Sequence, residues 1–319
     1  MKSLVDVGFS HYKSLTKAWD HCRRSLKLAV MDSYQISSHE GKWNLSRYKS
    51  SGSEARLRMA THTILEQFRA ISTHKMKEGF NDLFRHSTLR HAWILDQVTP
   101  ESRRIKVPEK ARLHEAAIRT VYTGNLVSSD WADRWSGWID AYKDAFLHNV
   151  SLGAMNESSV ADAVDEVDAT KANTPASTLA NAMARIFEYE GVSSIVAGEQ
   201  AITDLNEDLI EEEIWKTRGD DAVCDDCDQN EGKTIEEADG DIPLHPNCHC
   251  YWLMVPKEYA DLLRSGNEDD NDLAEKMLAR GLVPNSLVIR SEDGNIGAKA
   301  IVDFKDWVEN MDMGTIFTL

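Results

Sequence analysis

The chain has 319 residues, with 53 acidic against 36 basic side chains and a formal net charge of −17. That balance excludes a general phosphate-binding surface, which needs clustered Lys and Arg. No apolar run is long enough to span a bilayer, and the opening MKSLVDVGFSHYKSLTKAWD lacks the apolar core of a signal peptide. The expected setting is a cytosol, where thiols stay reduced and clustered cysteines favour metal over disulfides.

The first half reads as helical. Leu, Ile, Phe and Met recur at three- and four-residue spacing over 12–31 and 53–98, with few Gly or Pro. Thr99-Pro100-Glu101 ends the second stretch, because the residue before proline is pushed out of helical geometry. A further helix is expected over 108–124, where Pro108 in the first turn costs no hydrogen bond. Arg103-Arg104-Ile105-Lys106, just before it, is a local basic patch read as a solvated loop. Cys22 sits alone in a helical context and is expected to be an ordinary semi-buried side chain.

The next helix carries Ser129 as a candidate cap and Trp131, Trp135, Trp138 and Tyr142 along one face. Such a row either docks another protein chain or fills a core, and core filling is the expected role. Over 151–174 the composition shifts to Ala, Asp, Ser and Asn, which suggests a domain boundary. Thr174-Pro175 then opens a helix through Glu190, with Gly191 as a left-handed C-cap.

A second helical stretch is expected near 196–213, ending in Glu211-Glu212-Glu213. Ile214-Trp215-Lys216-Thr217 follows as a short strand. Residues 251–255 form an apolar run bounded by Pro256, consistent with a buried strand. Residues 257–282 look helical, with a polar interruption. The stretches 287–290 and 298–302 flank Asp293-Gly294, a hairpin signal, and 303–319 is expected to hold a closing helix. The expected class is α+β, mostly α. A helical region covers 1–150, a small zinc-knuckle domain with short strands 151–256, and a C-terminal α/β tail 257–319.

Four of the five cysteines fall in one window, Cys224-x-x-Cys227 and His245-Pro246-Asn247-Cys248-His249-Cys250. Thiolate sulfur and imidazole nitrogen are the ligands Zn²⁺ prefers, and a Cys-x-x-Cys turn lets two sulfurs converge on one ion. Cys224 and Cys227 are the first pair, and His245, Cys248 and Cys250 are all credible partners. His249 is the weakest candidate, because it points opposite to its neighbours in an extended chain. Any four of the first five close a tetrahedral shell, which means stability rather than catalysis. A disulfide or free-thiol cluster is the competing reading. Asp226-x-Asp228-x-Asn230 with Glu237 approaches calcium-loop spacing. The glycine is displaced to Gly232, so the match is read as coincidence and the acidic residues as solvated surface.

The block over 215–256 resembles the C-terminal signature of the phage head-morphogenesis family, the Mu F-like minor head proteins. The resemblance is carried by Trp215, Asp220 or Asp221, Cys224, Cys227, Gly232, Pro243, His245, Pro246, Asn247, Cys248 and Cys250. It departs at His249, where the family typically has Arg. It implies a non-enzymatic minor capsid protein of a tailed bacteriophage, located in the virion head or near the portal after assembly in the host cytoplasm. Portal and other head proteins would be its partners, with contact to packaged DNA and a role in packaging or ejection. No membrane or small-molecule substrate is expected. The rival readings are a metal-dependent nuclease, disfavoured by the acidic surroundings, and a zinc-ribbon adaptor that binds other proteins.

Overall fold

The computed structural model describes residues 4–34, 52–98, 105–107, 131–155, 174–217, 223–245, 248, 250–256, 286–290, 296–300 and 304–310. These residues are mostly helical. In chain order they form α1 (Leu4–Tyr34), α2 (Ser53–Val98), α3 (Trp131–Met155), α4 (Pro175–Leu205), β1 (Ile210–Lys216), α5 (Asp225–Asp228), β2 (Tyr251–Pro256), β3 (Ser286–Arg290), β4 (Ile296–Ala300) and α6 (Phe304–Asn310). The strands pair antiparallel as β1–β2 and β3–β4. The expected helices over 108–124 and 257–282, Arg103, Arg104, Ser129, the Asp293-Gly294 turn and most of 151–174 lie outside the described residues. No described helix is long and apolar enough to cross a membrane.

The chain divides into two compact units. One comprises Gly8–Gly79 and Ser128–Glu188; the other comprises Met1–Val7, Phe80–Val127 and Tyr189–Leu319. Helices α1, α2 and α4 contribute residues to both.

The first unit is helical, and its core follows from residue spacing. In α1, Leu15, Trp19, Cys22, Leu26 and Val30 are buried at steps of three and four. In α2, Leu57, Thr61, Leu65, Phe68, Ser72 and Met76 do the same. Helix α3 answers with Trp131, Trp135, Ile139, Tyr142, Phe146 and Val150. Trp19 packs edge-on against Tyr142 at 5.4 Å between ring centres and tilted on Phe68 at 5.1 Å, and Phe68 meets Trp135 edge-on at 5.9 Å. The indole N–H of Trp135 donates to Ser72 Oγ at 2.9 Å, satisfying the one polar atom this ring buries.

Three members of the aromatic row therefore fill the core. Trp138 departs from it: it is 43 % exposed, and Ile139 takes the inward position. At about 3.6 residues per turn Trp138 projects just beyond the Trp131 edge of the buried arc, whereas Ile139 projects inside it.

Helix α4 begins as the sequence suggests. Thr174 Oγ1 accepts from the Ser177 N–H at 3.1 Å, Ser177 Oγ accepts from the Thr174 N–H at 3.0 Å, and Pro175 takes the first helical position. The expected stop at Gly191 does not occur, because α4 continues to Leu205. Gly191 faces Leu83, and a Cβ on Gly198 would stand 2.5 Å from the Phe84 carbonyl oxygen and 2.9 Å from Thr88 Oγ1. These glycines serve the close approach of α4 to α2. Ser87 Oγ completes the contact by donating to the Ile195 carbonyl at 2.9 Å.

The expected helix over 196–213 is also corrected. It ends at Leu205, and the strand begins at Ile210, so the acidic triplet lies in β1. The strand is held by its partner, pairing Glu212 with Val255, Ile214 with Leu253 and Trp215 with Trp252. Burial of that apolar partner outweighs the helical preference of glutamate. Asn206 marks the transition. Its side-chain amide donates to the Ile202 carbonyl at 2.8 Å and to the Lys106 carbonyl at 2.9 Å, and its oxygen accepts from the Lys106 N–H at 2.7 Å.

The strands divide the second unit's core. Ile210 and Ile214 of β1 and Leu253, Met254 and Val255 of β2 pack with Trp93, Leu95 and Ile202. Helix α6 joins this side through Phe304, 5.6 Å from Trp93 between ring centres, and through Trp307, whose N–H donates to Asp96 at 2.8 Å. Trp215 and Trp252 belong to a separate cluster that contains the cysteines.

Replacing Gly198 with Ala tests the close approach. The variant is expected to lose about 1–3 kcal/mol through overpacking, although Ala favours a helix interior by about 1 kcal/mol. Urea unfolding measures the balance, and an unchanged or raised midpoint would contradict the packing account.

Candidate metal centre

Residues 217–250 leave the sheet after β1 and return to it at β2, so both ends of the excursion are fixed by the same strand pair. Trp215 and Trp252 sit opposite each other in the register and meet edge-on at 5.2 Å between ring centres. Beyond them lie Cys227, Ile242, Cys248 and Cys250, all buried, with Val196 of α4 beneath.

The first half of the excursion is pinned to the outer side of β1. The Gly232 N–H donates to the Trp215 carbonyl at 2.9 Å, the Trp215 N–H to the Lys233 carbonyl at 2.7 Å, and the Ile235 N–H to the Glu213 carbonyl at 3.1 Å. Gly232 has φ +81°, a left-handed conformation that side chains with a Cβ disfavour. This explains a glycine at that position of the motif.

Cys224 caps the single turn α5. Its sulfur accepts the Cys227 N–H at 3.4 Å, and its carbonyl accepts the Asp228 N–H at 2.9 Å. The turn aims both sulfurs at one imidazole: His245 Nε2 lies 3.0 Å from Cys224 Sγ and 3.1 Å from Cys227 Sγ. On its other side Cys227 Sγ stands 3.8 Å from Cys248 Sγ. The donor atoms of Cys224, Cys227 and His245 lie within 4.8 Å of one another, as do those of Cys227, Cys248 and Cys250. All five predicted donors thus converge, with Cys227 shared by both groups. His249, Pro246, Asn247, Asp220 and Asp221 lie outside the described residues.

The five cysteines are free. A sulfur–sulfur separation of 3.8 Å is far too long for a disulfide. It equals the edge of a tetrahedron whose corners lie about 2.3 Å from a central ion, which is about 3.8 Å. The sulfur–imidazole contacts are tighter than the corresponding edge of about 3.5 Å, and would open by a few tenths of an ångström around an ion. The donor set and its spacing fit a metal ion.

The protonation pattern is divided. The Cys227 N–H holds Cys224 below the ordinary thiol range. Cys248 is lowered to about 5, first by the thiol of Cys250 and then by the backbone N–H groups of Cys250 and Leu244, all directed at its sulfur. Burial raises Cys227 to about 12. Cys250 is also raised, first through its bond to Cys248 and then by burial. A metal that binds thiols still carrying their protons displaces those protons.

One organising residue gives only a weak sequence signal. Asn230 is 2 % exposed. Its amide donates to the Asp226 carbonyl at 3.1 Å, and its oxygen accepts from the Asp239 N–H at 2.9 Å and from Lys233 Nζ at 3.1 Å. Its own N–H donates to the Cys227 carbonyl at 3.1 Å. The calcium-like spacing has the same explanation, since Asn230 turns inward and Glu237 accepts the Thr234 N–H at 3.1 Å. Asp225, Asp226, Asp228 and Glu231 are exposed, as a solvated surface requires.

Comparison of the chain with protein-family models, curated proteins and solved structures finds no match. The centre is thus characterised by its own geometry. Asn230→Ala is expected to lower stability by about 1–3 kcal/mol, because it strands buried backbone groups on both sides of the turn. Chemical denaturation at fixed metal concentration reads the loss, and an unchanged midpoint would show that Asn230 does not organise the loop.

Proposed function

We propose that the protein is a minor head protein of a tailed bacteriophage. It acts in procapsid assembly at or near the portal, where it meets portal and other head proteins, and in the passage of DNA. Its metal centre holds structural zinc and performs no catalysis. What supports the reading is the motif: Trp215, Cys224, Cys227, Gly232, His245, Cys248 and Cys250 are spaced as in the head-morphogenesis signature. All of them except Gly232 belong to the tryptophan–cysteine cluster or to its donor groups. The family reading rests on those residues alone.

Zinc suits the centre because its donors are thiolate and imidazole, and four of them complete a closed tetrahedral shell. Structural zinc in small domains contributes apparent binding energies of roughly 10–16 kcal/mol. That is ample to hold an excursion whose apolar cluster is small and partly made of cysteine. The residues hold the ion and exclude water from it, a scaffolding role suited to an assembly component.

Quantitative mass spectrometry of purified particles and procapsids tests the proposal. The expected result is a few copies per particle, already present before DNA enters, and absence from both would overturn it. Cys224→Ser is expected to lower thermal stability and to abolish incorporation together. Normal incorporation of that variant would separate the metal centre from assembly.

A further inference from the structure

The five donor atoms fall into two groups of three rather than one group of four. Those of Cys224, Cys227 and His245 lie within 4.8 Å of one another, and so do those of Cys227, Cys248 and Cys250. Cys227 alone is common to both. We infer that the centre takes a pair of soft monovalent ions of the cuprous class, one in each group, bridged by the Cys227 thiolate. The inference shares its donors with the zinc reading above, goes beyond it, and does not require zinc to be the resident ion.

The geometry separates the two kinds of ion. A tetrahedral zinc shell has sulfur–sulfur edges of about 3.8 Å, so four donors must gather about that close together. Here the fourth donor has to be drawn across from the other group. An ion that settles for three donors needs no such crossing, because each group already supplies three. Cys227 is placed to serve both groups. Its sulfur lies 3.1 Å from His245 Nε2 on one side and 3.8 Å from Cys248 Sγ on the other. A thiolate sulfur carries more than one lone pair and can hold two ions at once.

Burial and charge point the same way. Cys227, Cys248 and Cys250 are all buried, whereas Cys224 and His245 are half-buried. Zinc confined to the buried group would need a fourth ligand, and burial of all three residues leaves little access for a water to supply one. A three-coordinate cuprous ion has no such need. Thiolate is a soft donor that selects Cu(I) as well as Zn²⁺, and imidazole suits both metals. A pair of monovalent ions also brings the same positive charge into the site as a single Zn²⁺. Thiols that bind either metal release their protons.

The test titrates the full chain, oxygen-free and with its thiols reduced, with Cu(I) against a competing chelator, bathocuproine disulfonate, and separately with Zn²⁺. Saturation is expected at about two Cu(I) per chain, against about one Zn²⁺. X-ray absorption at the copper edge should show a short copper–copper vector, which ions in unconnected sites do not give. Cys250→Ala is expected to bind about one Cu(I) and to lose that vector. The copper-edge measurement on the unmodified protein keeps the test decisive if the variant does not fold.

Saturation at a single Cu(I), a copper pair without the vector, or a vector that survives in Cys250→Ala would overturn the bridged pair. Zinc binding by the same protein would then leave the zinc reading standing. A bridged copper pair in a protein that takes up no Zn²⁺ would support the pair and bring down the zinc reading. Failure to bind either metal would bring down both.

Discussion

The contact between Cys227 and its neighbours is the constraint on which the second unit's cysteine-rich end depends. Its buried sulfur touches the half-buried His245 imidazole on one side and the buried Cys248 sulfur on the other. Thiols pack well enough as small apolar groups, but an imidazole against two sulfurs is a polar arrangement that burial alone does not favour. A cation bound there would resolve the conflict by turning each of these contacts into an edge of its coordination shell. The cluster around the donors is otherwise thin: of its seven fully buried members, three are cysteines and two are the tryptophans that anchor it to the sheet.

The strand pair carries this constraint into the fold. Trp215 and Trp252 of the strand pair join the cysteine cluster, and Ile210, Ile214, Leu253, Met254 and Val255 join residues of α2, α4 and α6. Anything that fixes the spacing of Trp215 and Trp252 therefore also fixes the donors. The exposed acidic shell of α5 and the following loop keeps this end solvated without touching the ligand atoms.

Much of this was legible in the sequence, for identifiable reasons. The long helices announce themselves because burial on one face repeats at three and four residues, as Leu15, Trp19, Leu26 and Val30 show in α1. The donors are legible because cysteine and histidine are rare and their spacing is chemical. Gly191 misleads because glycine serves two purposes, left-handed caps and close helix contacts, and only the neighbour Leu83 tells them apart. The acidic triplet of β1 misleads because its strand form depends on β2, a partner distant in sequence. Trp138 misleads because its spacing is helical but it falls just past the edge of the arc that packing buries. Asn230 is hardest to see, since its role is to hold backbone groups that carry no sequence signal.

The most direct test of the central claim is the zinc content of the purified protein, measured by elemental analysis without chelators and alongside its fold by circular dichroism. A metal-held centre predicts about one zinc per chain and loss of ordered structure around the tryptophans when it is stripped. A protein that is metal-free and equally well folded would contradict it.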